Sequence, residues 1–338
     1  MGSTGETITV ASSVDAGFLP YVGPVATSMA RFAKSGRPID YRVFYAGPPS
    51  SDTKALDGYR VGPVTVRLLD APTEVEKYRG RSVMGTETLV RMMAGELMPD
   101  LDRAVFLDVD LLLLADIAGL FDADLGGCPL GAVVDYSIYT WMQRQRTDPH
   151  KNPLYRLEPL LREKLGFTAG EWYDYVNAGV AVMDLAALRS EELSRQALDL
   201  LDRAAHDLPW PDQDGLNLLL KGRIKHLRAG WNVLVTELIF KIPDGTNTFV
   251  TEGIAEQRRR PHIIHFAGAF KPWLRTSHVP YSGTWWHFVA QSPLGDKIKT
   301  SFQEMRKVNH RVANPLVGLG KVAAGLRYGR TPATMGPA

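Results

Sequence analysis

Short apolar runs that alternate with helical stretches constrain this chain more than any other feature. Thr7 to Ser12 reads as a buried strand with Ile8 and Val10 on one face. A helical pattern runs from Val22 to Lys34 and is ended by Ser35-Gly36 and Pro38. Asp40 to Tyr45 and Val64 to Leu68 read as further strands, and Val83 to Met98 as an amphipathic helix. Ala104 to Leu107 and Gly131 to Val134 complete the series. Such alternation predicts an α/β fold with a single Rossmann-like, mixed but mostly parallel sheet flanked by helices.

The second half is less regular. Asp135 to Tyr173 is polar and aromatic and is expected to cover one face. Ala178 to Leu185 returns to a strand, Leu188 to His206 reads as one helix, and Asp212 to Lys221 as another. Pro261 to Phe266 is a short strand entering a glycine-bearing loop. There is no internal repeat. No linker precedes residue 290, so the chain divides into a domain over 1–290 and a tail over 291–338.

Charge sets that tail apart. From Lys297 onward there are eight Lys/Arg and one acid, a charge of +7, so the preceding residues carry −5 of a total of +2. The tail interleaves apolar residues such as Phe302, Leu316 and Leu326 with its cations, a pattern suited to an anionic membrane surface or to packing on the body. Pro315 and Gly318, Gly320 and Gly325 work against one continuous helix. At 45% apolar residues, the body can build a core, which excludes disorder as its main state. Cys128 is the one cysteine, so no intrachain disulfide is possible. The start has no secretory pattern, and the most apolar window, Ala104 to Phe121, is interrupted by Asp108, Asp110 and Asp116. The expectation is a cytoplasmic protein, with peripheral attachment to the inner membrane face through the tail.

Four spots carry chemistry. In Phe106-Leu107-Asp108-Val109-Asp110 an apolar strand runs into carboxylates at i and i+2, which project the same way on extended backbone. Two hard oxygen donors at a strand's C-terminal end suit a divalent metal completed by phosphate oxygens, although loop acids at strand ends are common. In His265-Phe266-Ala267-Gly268-Ala269-Phe270-Lys271 a strand delivers an imidazole, a turn and a lysine, suited to a metal-bound diphosphate. An imidazole favours Mn²⁺ while leaving Mg²⁺ open. Asp212-Gln213-Asp214 precedes a helix, where one acid is expected to cap it. Asn177-Ala178-Gly179 is either a turn into a strand or a place where a substrate meets the backbone.

These spots, in this order, resemble the retaining glycosyltransferases of family 8, which include bacterial lipopolysaccharide galactosyl- and glucosyltransferases and the glycogenins. The resemblance runs from about Ile8 to Trp273. It implies a GT-A fold, a nucleotide-sugar donor that is usually UDP-linked, and Mn²⁺. It further implies Asp108, Asp110 and His265 as metal ligands, and Gly268 and Lys271 as diphosphate contacts. Arg91 matches the arginine facing the donor, and Asp135 a carboxylate holding donor-sugar hydroxyls. Asn177, Asp212 and Gln213 match residues around the reacting sugar, and Asp15 an acid near the base. The run Asp15-Ala16-Gly17-Phe18 departs from the family's Asp-Asn-Tyr-like pattern: Phe18 can still stack on a base, but the amide is missing. Base identity therefore stays open.

The expected activity is transfer of a hexose, glucose or galactose, from a UDP-hexose to a glycan or glycolipid acceptor in envelope or polysaccharide synthesis. Gln213 matches the position nearest the anomeric carbon, and an amide is a poor nucleophile. Front-side attack is therefore favoured, with Asp212 as the fallback nucleophile. Asp70–Arg81 and Gly268–Thr276 are candidate lids. Two alternatives stand beside this reading: a metal-dependent nucleotidyl- or phosphotransferase, and a catalytically decayed nucleotide-sugar-binding protein. Gly320-Lys321 is followed by Val322, so no Walker loop is present, and no nucleic-acid recognition motif is seen.

Overall fold

The computed structural model describes residues 6–80, 85–147, 157–168, 171–204, 207–274 and 279–311. The strands in chain order are β1 (Ile8–Asp15), β2 (Ile39–Ala46), β3 (Arg60–Val61), β4 (Val64–Asp70), β5 (Arg103–Leu107) and β6 (Leu111–Leu113). They continue with β7 (Leu130–Val134), β8 (Val176–Asp184), β9 (Ile224–His226), β10 (Val233–Leu234) and β11 (Ile263–His265). Eight of them form one sheet in the order β3-β4-β2-β1-β5-β8-β7-β9. The pairs β4/β2, β2/β1, β1/β5 and β7/β9 are parallel. β8 runs antiparallel to both neighbours, with Leu107 opposite Val180 and Val134 opposite Val176.

The central strands are nearly continuous apolar runs because helices cover both faces. Val22, Val25, Ala26 and Met29 recur at helical spacing on Val22–Phe32 and are all buried. Parallel pairing brings the C-terminal ends of β1, β5 and β7 to one edge. The reversal of β8 brings its first residues, Val176 to Gly179, to that same edge. Asp15, Asp108, Asp135 and Asn177, from four separate segments of sequence, therefore all lie along the edge where open α/β sheets bind ligands.

A second, three-stranded sheet, β10-β11-β6, was not foreseen. It places His265 opposite Leu111 on one side and Leu234 on the other. Asp110 and Asn232, each just before a strand of this sheet, thereby flank the histidine.

Two helix expectations need correction. Val83–Met98 is not one amphipathic α-helix: Thr86–Met93 is 3₁₀ and Ala94–Leu97 α-helical, while Val83 lies outside the described residues. Leu89, Val90, Arg91, Met92 and Met93 are all buried, so the segment has no solvent face to give it a helical period. Leu188–His206 is broken into Leu185–Ser190 and Leu193–Ala204, with Glu192 left-handed at φ 53°. The Arg189 guanidinium donates to the carbonyls of Gly95 (3.1 Å), Met98 (3.1 Å) and Leu101 (2.8 Å), which ties the first helix down before the second starts. His206 lies outside the described residues.

At the C-terminal side, Ser282–Val289 and Gly295–Arg311 are helices. Trp285, Phe288, Val289 and Ile298 are buried with Ile264, Phe266 and Trp273, and Lys297 pairs with Asp52. Residues 312–338, which carry Pro315, Leu316, Lys321 and Leu326, lie outside the described residues. Among the described residues no helix is long and apolar enough to cross a membrane.

Candidate active site

Asp108, Asp110 and His265 converge, each offering a ligand atom within 4.8 Å of the others. His265 Nε2 lies 3.4 Å from Asp108 Oδ2 and 3.2 Å from Asp110 Oδ1. The ring's other nitrogen, Nδ1, is 3.0 Å from Asn232 Oδ1. Two carboxylate oxygens facing an imidazole nitrogen are the donor set of a divalent cation, with an amide partner behind the ring. Lys271 Nζ pairs with Asp110 and donates to the Phe266 carbonyl at 2.9 Å. Burial by itself would raise the Asp110 carboxyl, but Lys271 and His265 outweigh it and hold the group well below the usual carboxylate range.

Gly179 makes this cluster possible. A Cβ there would fall 2.3 Å from His265 Cε1 and 2.7 Å from Asp108 Oδ2. The close approach to this backbone is made by the protein's own Asp108 and His265 side chains. Gly179→Ala should lower Tm by several degrees and remove divalent-metal binding, since overpacking costs about 1–3 kcal/mol. Differential scanning fluorimetry with and without Mn²⁺ checks this; a variant with wild-type Tm and metal response contradicts it.

Arg91 lies under the cluster and is buried. It pairs with Asp108, with Asp212 at 3.0 Å, and donates to the Ala178 carbonyl. Its guanidinium clamps two carboxylates together. Burial and Asp108 raise the Asp212 carboxyl while Arg91 opposes the rise.

On the other side of Asn177 lies an amide and carboxylate network. Asn177 Nδ2 donates to Asp135 Oδ2 (3.1 Å) and Gln213 Oε1 (3.0 Å). The Ala178 backbone N–H donates to that same Gln213 oxygen at 3.1 Å, which fixes the orientation of the amide. Gln213 Nε2 then donates to Asp135 Oδ2 (3.1 Å) and Tyr175 OH (3.2 Å). Tyr175 donates in turn to Asp214 at 2.5 Å. Of the two acids expected to serve the helix Pro211–Leu219, Asp214 reaches back to the Trp210 N–H at 2.9 Å, and Asp212 faces the site. Burial pushes Asp214 up to about 7.

Nine of the sequence-derived residues thus form one connected group: Arg91, Asp108, Asp110, Asp135, Asn177, Asp212, Gln213, His265 and Lys271. Asp15 and Phe18 stand apart from it. Asp15 accepts the Phe18 N–H at 2.9 Å, closing its own turn, and the Phe18 ring packs edge-on against Tyr21 at 5.8 Å. Gly268 sits at φ 66° in the loop between His265 and Lys271, a conformation that favours glycine. The described part of each lid candidate makes contacts with the body. Trp273 stacks on Tyr21 at 4.0 Å, and Tyr78 donates to Asp202 at 2.7 Å. Thr276 and Arg81 lie outside the described residues.

Asn232 and Tyr175 join the site without a sequence signal, and Glu87 is a buried acid that feels the Asp212 charge. Tyr175 lies just before the Asn177-Ala178-Gly179 run, and Asn232 follows a Gly-Trp pair that carries no motif. Glu87 is buried without the spacing of any known ligand set. Burial first, and then Asp15, push its carboxyl up to about 7, with Asp212 adding to the rise and Arg79 opposing it. A raised folded-state value contributes stability at low pH that is lost as pH rises through about 7. Glu87→Gln should therefore gain on wild type in Tm between pH 5 and pH 8, as measured by thermal melts; a gap independent of pH contradicts this.

The sequence pattern described as "Glycosyl transferase family 8" matches residues 9–277. The chain belongs to glycosyl transferase family 8. The family 8 chain is 27% identical over 286 residues to the lipopolysaccharide 1,2-glucosyltransferase of Escherichia coli (strain K12), covering 82% of this chain and 76% of that protein. It is 23% identical over 292 residues to general stress protein A of Bacillus subtilis (strain 168), covering 84% and 94%. Its fold matches that of galactosyltransferase LgtC, solved with donor and acceptor sugar analogs, at a TM-score of 0.67, 22% identity, and coverage of 84% and 96%. The bifunctional glycosyltransferase WbbM gives 0.72 at 20% identity, this family 8 chain covering 51% of that one. The fold is GT-A and the protein is a glycosyltransferase. The nucleotidyl- or phosphotransferase alternative and the non-enzymatic one both fall away.

Proposed function

We propose that this enzyme moves glucose or galactose from a UDP-hexose to a glycan or glycolipid acceptor of the cell envelope, with retention of configuration and with Mn²⁺ bound. The single observation that carries the reading is the junction of two half-sites: Asp108, Asp110 and His265 with Lys271 on one side, Asp135, Asn177 and Gln213 on the other. The glucosyltransferase and galactosyltransferase relatives support the hexose. The run of cations in the tail supports an anionic membrane surface as a further partner.

Asp108, Asp110 and His265 would hold the metal, which when bound supplies Lewis-acid stabilisation of the departing diphosphate. Lys271 brings a second positive charge to the same place, and the Gly268 turn lets backbone approach the phosphates. Asp135 would accept sugar hydroxyls, with Asn177 and Gln213 donating to its Oδ2 and Ser137 to its Oδ1.

Retention needs a protein nucleophile or same-face attack. Both lone pairs of the Gln213 oxygen already accept N–H groups, from Ala178 and Asn177. Asp212 is committed to Arg91. Neither is poised for covalent attack, which favours a front-side path. In that path the leaving phosphate takes the acceptor's proton and the Gln213 network steadies the cationic sugar.

Gln213→Ala should lower kcat by more than about tenfold, roughly 1.4 kcal/mol or more in the barrier. Hydrolysis of UDP-glucose and UDP-galactose, followed by proton NMR, reads both rate and stereochemistry. Freshly released α-hexose supports the reading, and β-hexose or an unchanged Gln213→Ala rate overturns it.

A further inference from the structure

We propose that Asn232 is a positioning residue, which sets the ring tautomer of His265 and joins the metal half of the site to the sugar half. The inference rests on the metal-dependent reading above. Asn232 is 2% exposed, and its backbone carbonyl accepts Gln257 Nε2 at 3.0 Å. It immediately precedes β10, whose Leu234 pairs with His265.

The direction of every hydrogen bond around it follows from one backbone group. The Gly179 N–H can only donate, and it meets Asn177 Oδ1 at 3.0 Å. That end of Asn177 is therefore oxygen. Asn232 approaches the same oxygen at 2.8 Å, so it must present its amide NH₂ there. Its oxygen then faces His265 Nδ1 at 3.0 Å, and Nδ1 carries the proton. In the neutral ring, the form that can ligate a metal, the lone pair is then on Nε2, the nitrogen that faces Asp108 and Asp110. Without Asn232, nothing among these contacts holds the proton on Nδ1. The two carboxylates would draw it to Nε2, where it blocks the ligand position.

The test is Mn²⁺ binding by the intact chain, followed by electron paramagnetic resonance with Mn²⁺ alone as the probe. Asn232→Ala should weaken binding by about 10–100-fold, the usual cost of losing the partner behind a ligating histidine. Asn232→Asp keeps an acceptor for Nδ1–H but loses the donor to Asn177 Oδ1, so it should bind more weakly than wild type and clearly more tightly than Asn232→Ala. A residue that acted by packing alone would lose affinity in both. Long-range proton–nitrogen NMR of wild type with Mg²⁺ reads the tautomer directly and needs no variant: a proton on His265 Nδ1 supports the inference, and a proton on Nε2 overturns it. Asn232→Ala binding within threefold of wild type, or Asn232→Asp as weak as Asn232→Ala, overturns this inference alone. A wild type that binds no Mn²⁺ overturns it together with the metal reading.

Discussion

Asp110→Asn should abolish sugar transfer, with kcat/KM falling by about a thousandfold or more at saturating Mn²⁺. Two side-chain contacts and one backbone contact meet on this residue. Its Oδ1 faces His265 Nε2 at 3.2 Å, its Oδ2 pairs with Lys271, and its backbone carbonyl accepts the Phe266 N–H at 2.9 Å. The amide keeps the shape but supplies one oxygen and no charge. It removes a hard metal donor and leaves the Lys271 ammonium without its counter-charge. Electrostatic stabilisation of a leaving diphosphate is worth several kcal/mol, and each 1.36 kcal/mol is tenfold in rate. Lys271→Met, which removes the lysine and spares the ligand, should cost less. Steady-state rates for the two variants, with circular dichroism to confirm folding, decide the matter. Activity of Asp110→Asn within tenfold of wild type would remove Asp110 from the metal set.

The second large effect is on stability. Arg91→Met should destabilise the fold by about 3–5 kcal/mol, the usual cost of leaving buried charge unpaired. Asp108 and Asp212 would then face each other with no cation between them, and the Ala178 carbonyl would lose its donor. Arg91→Lys should recover only part of this, because one ammonium cannot reproduce a fork that reaches Asp108, Asp212 and the Thr88 and Ala178 carbonyls. Urea unfolding of the three proteins measures it. A loss below about 1 kcal/mol in Arg91→Met would mean that the carboxylates are relieved by another route.

Where the sequence was legible, the reason is physical. β1, β2, β4, β5 and β7 are apolar runs long enough to show their burial, and each ends close to where its composition changes. The paired acids after Leu107 and the histidine after Ile264 stood out because strand ends in a parallel sheet are where polar chemistry can sit. The small sheet was illegible because Val233–Leu234 and Leu111–Leu113 are too short to carry a period. Yet that sheet places His265 between Asp110 and Asn232. The break at Glu192 was hidden for a different reason: Arg189 reaches carbonyls about ninety residues away, and local helix propensity cannot register it. Asn232 and Tyr175 escaped because their roles are defined by hydrogen-bond direction, which no spacing rule encodes.

The central claim is that a metal and a nucleotide sugar are bound together at this edge of the sheet. Thermal melts of the chain with UDP-glucose, UDP-galactose, GDP-mannose or UDP, each with and without Mn²⁺, test it most directly. A ligand at about 100 times its Kd adds roughly 2.7 kcal/mol to the folded state. A UDP-hexose should raise Tm by several degrees with Mn²⁺ and by much less without it, and Asp110→Asn should remove the difference. No shift with any nucleotide sugar, or a shift indifferent to Mn²⁺ and to Asp110, would contradict it.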